Sequence, residues 1–167
     1  MGVNIDRRKD GRIYLTQPHL KEQIVKDFGQ DNTRSPSKST PAHPSKILYY
    51  HKQSENFNKI FRYRSVVGKL NYLEKCFRTD IAYATHQYAR FLVNPKRQHA
   101  KALRNLGRYL KGTMDKGIIN FLKTNTGLEV HVDAGFAGNW DKEDSGNTDT
   151  ARSRHGFVIS FKGCPIV

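Results

Sequence analysis

The sequence predicts an α+β chain: an N-terminal β-hairpin, a helical middle and a closing antiparallel sheet that is only partial. Three observations carry this prediction. Apolar residues alternate with polar ones on both sides of Asp10-Gly11. Between residues 60 and 111 they recur every three or four positions, and after Gly112 the period returns to two.

Residues 3–16 read as the hairpin. Val3 and Ile5 alternate on one arm and Ile13 and Leu15 on the other, and Asp10-Gly11 supplies the positive-φ turn that matches strand twist. Thr16 is the expected N-cap of a helix over 17–28, with Pro18 just inside it. Leu20, Ile24 and Phe28 fall four apart on one face of this helix, and Gly29 stops it. Residues 29–58 are polar, aperiodic and broken by Pro36, Pro41 and Pro44. They predict an irregular connector lying across other elements, or a partly disordered one.

Three helices are expected next. The first, over 60–76, places Val66, Leu70, Leu73 and Phe77 on one side. The second begins at Asp80 as N-cap and runs to Val93, with Ile81, Ala84, Tyr88 and Phe91 or Leu92 inward, before Asn94-Pro95 breaks the chain. The third spans 96–111. Strands are then expected around Ile118–Leu122, along the alternating Leu128, Val130 and Val132 up to Asp133, and over Gly156–Phe161. A polar loop fills 139–154, with Trp140 anchoring it by burial, and a turn at Lys162-Gly163 opens a further strand. Helices first and a meander afterwards predict two structural units: 1–111, then a linker or first strand over 112–127, then 128–167.

Composition narrows the function classes. The 167 residues are 37% hydrophobic, enough for a modest core. No apolar run reaches the length of about 18 residues that a membrane span needs, and the N-terminus lacks the apolar stretch of a signal peptide. A cytoplasmic or nuclear location is expected, with no membrane partner. Cys76 and Cys164 form no CxxC pair, so no structural disulfide is expected. The charge is strongly basic: 29 Lys and Arg against 15 Asp and Glu, net +14. Such an excess favours polyanions, nucleic acid first among them. Residues 60–111 hold 12 basic and two acidic side chains, whereas 129–149 hold six acidic and one basic.

The third helix sharpens this. Leu103, Leu106 and Leu110 share one side, and Arg97, Lys101, Arg104, Arg108 and Lys111 form a row on the other at spacings of four, three, four and three. Such a row repels itself by about a few tenths of a kcal/mol per pair. It makes sense where phosphates supply counter-charge. The plainer reading, a solvated face, usually mixes signs, and this face has no acid. Asp133, before Ala134 and Gly135, could hold a divalent cation at a sheet rim or merely end a strand. The seven histidines show no metal-binding spacing, and no phosphate loop or nucleophile–base pattern is present.

Several stretches then fall in a known order. They are Tyr63-Arg-Ser-Val-Val-Gly-Lys-Leu-Asn-Tyr-Leu73, Arg78-Thr-Asp-Ile81, Arg90-Phe91 with Asn94-Pro95 and His99, Arg108-Tyr-Leu-Lys-Gly-Thr113, Val132-Asp-Ala-Gly-Phe-Ala-Gly138 and Arg152-Ser-Arg-His-Gly-Phe157. The series closely resembles the Pol region of copia-type retrotransposons, where a reverse transcriptase thumb leads into ribonuclease H. Gly2-Val-Asn-Ile5 also looks like the hairpin that follows the polymerase active site in that family. The resemblance implies a hairpin near the primer terminus, thumb and connection helices over 17–111 gripping an RNA–DNA hybrid or duplex, and the first strands of a ribonuclease H fold from 128. It counts Arg78 with the row of five as a nucleic-acid contact and makes Asp133 the vestige of the first catalytic, Mg²⁺-binding carboxylate. The expected partners are nucleic acid and the rest of a Pol polyprotein.

The departures are informative. The family's polymerase carboxylates and later ribonuclease H carboxylates match nothing within these 167 residues, and its second Asp in "DAD" is Gly135 here. The expectation is therefore a fragment that keeps a primer–template surface but is catalytically inactive alone and binds no Mg²⁺ stably. The alternatives are a non-enzymatic nucleic-acid-binding module and a non-functional pseudogene product.

Overall fold

The computed structural model describes residues 2–29, 35–42, 48–49, 54–122, 127–137, 140, 142, 145–146 and 153–166. It is α+β, as the sequence predicts. Two compact units divide the chain: Met1–Asp6 with Tyr14–Ile118, and Arg7–Ile13 with Ile119–Val167.

Strands β1 (Asn4–Arg7) and β2 (Ile13–Thr16) form the predicted hairpin. Gly11 takes φ +85° at its tip, and the Arg8 N–H donates to the Arg12 carbonyl at 2.9 Å. Helix α1 (Pro18–Asp27) buries Leu20, Ile24 and Val25, and Phe28 just beyond it is buried as well. Its N-cap is Gln17, not Thr16, and no side chain caps it; Pro18 at the first helical position leaves one N–H fewer to satisfy.

Helix α2 (Tyr63–Cys76) starts three residues later than expected and buries Val66, Val67, Leu70 and Leu73. Phe61, ahead of it, packs edge-on against Phe28 with ring centroids 5.0 Å apart. Asp80 is not an N-cap. It lies in a 3₁₀ turn, Thr79–Ile81, where its carboxylate is taken by side chains instead, and α3 (Ala82–Ala89) follows without a side-chain cap. α3 also ends four residues before Val93, which is 91% exposed, while Phe91 stays buried. Helix α4 (Arg97–Lys111) turns Leu103, Leu106 and Leu110 fully inward, each burial contributing about 1.5–3 kcal/mol. The four helices share one apolar core.

One strand falls in an unexpected place. β3 (Ile118–Asn120) joins the hairpin sheet in the order β1-β2-β3, rather than opening the later meander. Lys21 explains the anchoring of the segment before it. Its ammonium, buried under α1, donates to the carbonyls of Met114 and Lys116. Gly117 then lets the chain press on β2, since a Cβ there would lie 2.2 Å from the Leu15 carbonyl oxygen.

In the second unit β4 (Leu128–Gly135) pairs antiparallel with β5 (Arg154–Phe161), Asp133 opposite Gly156, and β6 (Cys164–Pro165) follows the turn at Lys162-Gly163. β4 runs two residues past Asp133 because Ala134 and Gly135 continue the ladder to His155 and Arg154. Trp140 is 53% exposed, so it does not anchor the following loop by burial. Most of that polar loop, with Asp141, Glu143, Asp144 and Asp149, lies outside the described residues. Both cysteines are free thiols, and among the described residues no helix is long and apolar enough to cross a membrane.

Candidate nucleic-acid interface

The outer face of α4 carries the predicted row of cations, but the connector has partly claimed it. Arg97 pairs with Glu55. Arg104 sits over the Phe61 ring, 5.7 Å from its centroid. The Arg108 Nε donates to the Pro36 carbonyl at 2.8 Å, and the Lys111 Nζ to the Ser35 carbonyl at 3.2 Å. Among the described residues no hydrogen bond or ion pair engages the side chain of Lys101, which is exposed. Two of the chain's own carbonyls and one distant carboxylate therefore engage three of the five cations. Glu55 lies 42 residues from Arg97, so helical spacing could not have revealed it.

The start of α4 is fixed by a buried histidine. The Lys96 N–H donates to His99 Nδ1 at 3.0 Å, which leaves the proton on Nε2, 2.9 Å from the Tyr49 carbonyl. Phe91 stacks on the same ring with centroids 3.7 Å apart. These interactions lock the connector onto the N-terminal turn of α4.

Arg78 is a correction. Expected among the phosphate contacts, it is 1% exposed and its guanidinium is engaged inside the protein. Nε and Nη2 donate to the two Asp80 oxygens at 2.8 and 2.9 Å, and Nη1 and Nη2 donate to the Thr113 carbonyl and hydroxyl at 2.9 and 2.8 Å. The Tyr109 hydroxyl completes the cluster on Asp80 at 2.7 Å. Burial alone would raise the Asp80 carboxyl, but the hydrogen bonds from Arg78 and Tyr109, helped by the Arg78 and Lys116 charges, hold it below the usual carboxylate range. Burial, and after it the Arg78 charge, push the Lys21 ammonium below its ordinary value.

No family model and no solved structure matches the chain. Among curated proteins it is 28% identical to a retrovirus-related Pol polyprotein from transposon TNT 1-94 of Nicotiana tabacum, over 98% of this chain and 12% of that protein. It is 38% identical to a retrovirus-related Pol polyprotein from transposon RE1 of Arabidopsis thaliana, over 62% of this chain and 6% of that protein. The chain is a relative of the copia-type retrotransposon Pol polyproteins. An uncharacterized mitochondrial protein of Arabidopsis thaliana is 29% identical over the whole chain and 63% of its own length, so the chain spans less than two thirds of each of these relatives.

Within this Pol-related chain, the motif residues that carry the resemblance converge in space. Arg78 and Asp80 of one motif meet Tyr109 and Thr113 of another, and Phe91 meets His99. These contacts tie neighbouring elements of the helical unit together. Asp133 stands apart, exposed in mid β4, and among the described residues no group of three or more His, Cys, Asp or Glu side chains could hold a metal. Glu129 lies on the same face of β4, yet four residues of strand set the two about 13 Å apart. Glu129 also accepts from the Ser160 hydroxyl at 3.3 Å. Two-metal chemistry needs carboxylates converging on ions about 4 Å apart, so the described residues do not fit a Mg²⁺ pair.

Proposed function

We propose that this chain is a nucleic-acid-contacting piece of a retrotransposon Pol polyprotein. It corresponds to the end of the reverse transcriptase and the start of the ribonuclease H, contacts a primer–template duplex or hybrid through the outer face of α4, and catalyses neither reaction alone. The carrying observation is the exposed ammonium of Lys101, unpaired among the described residues and flanked by Arg97 and Arg104 on one helix face. Among the described residues Arg97 has one exposed carboxylate to exchange for a phosphate, at side-chain exposures of 74% and 70%. Arg104 keeps its charge while resting on Phe61, a pairing suited to a weakly hydrated guanidinium. Arg108 and Lys111 are hydrogen-bonded to connector carbonyls and contribute less. The isolation of Asp133 among the described residues supports the lack of autonomous cleavage.

The test is the salt dependence of binding to an RNA–DNA hybrid. Replacing Arg97, Lys101 and Arg104 with Gln is expected to flatten the logarithmic salt slope by about one unit for each phosphate no longer neutralised. An unchanged slope refutes the phosphate role of this face. Mg²⁺-dependent cutting of the hybrid, abolished by Asp133→Asn, would overturn the claim of inactivity.

A further inference from the structure

A second feature borders the same helix face. A cavity of about 590 Å³ opens between the connector, α3 and α4, within the range of about 300–1,000 Å³ common for small-ligand sites. Tyr49, Tyr83 and Tyr88 line it, and among the described residues no carboxylate does. Lys38 and Lys101 stand in its wall, and neither side chain has a hydrogen bond or ion pair among the described residues. Asn105, also in the wall, is likewise unengaged among the described residues. Other polar groups there are already used. The Tyr88 hydroxyl donates to the Pro41 carbonyl at 3.4 Å, and Gln98 Nε2 to the Tyr49 carbonyl at 2.9 Å.

The geometry points to a site for one nucleotide, either free or as an unpaired residue of a strand, with its base against Tyr83 and its phosphate between Lys38 and Lys101. Each part of the wall matches one part of that ligand. Tyr83 is 52% exposed and lines the cavity, and an exposed aromatic ring can stack on any base. The Asn105 amide carries both a donor and an acceptor, as a base edge requires. Two lysines with no acid among the described lining residues call for an anion. A larger neighbouring cavity, of about 910 Å³, also includes Lys101, but among the described residues it carries Glu55 and no tyrosine, so its described wall lacks both the stacking surface and the uniform sign. Because Lys101 lines both cavities, a strand whose backbone follows α4 can place one base in the smaller one.

This inference rests on the nucleic-acid reading of α4, and the experiment separates the two. Binding of the 167-residue chain to a fluorescent single-stranded RNA and to a blunt RNA–DNA hybrid is compared for the unaltered chain, Tyr83→Leu and Asn105→Ala, with thermal melts confirming that each variant folds. Tyr83→Leu is expected to weaken single-strand binding by about tenfold or more, the scale of one base–aromatic stack, and to leave hybrid binding unchanged. Asn105→Ala is expected to change the preference among the four bases. Adenosine monophosphate titrated into the chain distinguishes the sources. Saturable shifts at Tyr83 and Asn105 assign the site to free nucleotide, and strand binding that depends on Tyr83 without such shifts assigns it to an unpaired residue. Single-strand affinity unmoved by both variants together with no saturable adenosine monophosphate shifts, with hybrid binding intact, overturns the pocket alone. Absence of salt-dependent binding to either nucleic acid overturns the α4 reading and the pocket with it.

Discussion

The Arg78 guanidinium grips the Asp80 carboxylate through two parallel hydrogen bonds, Nε to Oδ1 at 2.8 Å and Nη2 to Oδ2 at 2.9 Å. The pair is lopsided: the Arg78 side chain is 1% exposed and that of Asp80 38%. Water screens the carboxylate side, yet the buried cation depends on it.

Asp80→Asn keeps the shape and removes the charge. The expected loss is about 1–3 kcal/mol, toward the lower end because of that screening, read from urea melts at pH 7. Folding lowers the Asp80 pKa, so its contribution is complete above the unfolded value of about 3.9 and disappears as pH falls through the lower folded value. Wild-type and variant stabilities should therefore converge in acid. A constant difference across that window would show that charge is not the cause.

Alkali acts through two tyrosines. The Tyr63 hydroxyl donates to the Tyr88 carbonyl at 3.0 Å, and burial raises the pKa of both phenols, that of Tyr88 to about 12. A raised folded value stabilises fully below the unfolded pKa of about 10 and is lost as pH climbs through the folded one. Stability should fall between pH 10 and about 12, and Tyr88→Phe should soften that fall in denaturant melts. Equal slopes for the two proteins would assign the alkaline loss elsewhere.

The cations of α4 that bind carbonyls should behave as clasps. Arg108→Gln with Lys111→Gln removes the bonds to Pro36 and Ser35 and should speed proteolytic cleavage within 35–42 severalfold. Lys101→Gln has no such bond among the described residues and should leave cleavage unchanged. Identical digestion patterns for all three chains would mean that the segment is held by other interactions.

Gly117 is a steric requirement. With 2.2 Å to the Leu15 carbonyl oxygen, a methyl group cannot enter unless β3 withdraws from β2. Gly117→Ala should cost about 1–3 kcal/mol and expose the amides of residues 118–120 to hydrogen exchange. Unchanged protection would show that the backbone accommodates the methyl group.

Local patterns made most elements legible. Helical spacing located α4 within one residue and named its three inward leucines, because a face buried against a core must repeat every three or four positions. Asp80 misled because a carboxylate that suits an N-cap also suits a buried guanidinium, and Arg78 two residues earlier won it. β3 was misplaced because a short apolar run carries no sign of its pairing partner. The cation row was read correctly as a row, but its partners at Ser35, Pro36 and Glu55 are remote in sequence and two of them are backbone carbonyls, which composition cannot reveal. Asp133 could be placed on its strand, while its distance from other carboxylates needed coordinates.

The clasp between Lys21 and the carbonyls of Met114 and Lys116 spans up to 95 residues of sequence. The helical unit is thus closed like a ring, its first helix waiting for the segment after its last. On a ribosome, α1 emerges long before the residues that satisfy its buried ammonium, so the core cannot lock until about one hundred further residues have appeared. A pause in translation within that interval would hold Lys21 and the apolar face of α1 in the open, within reach of chaperones.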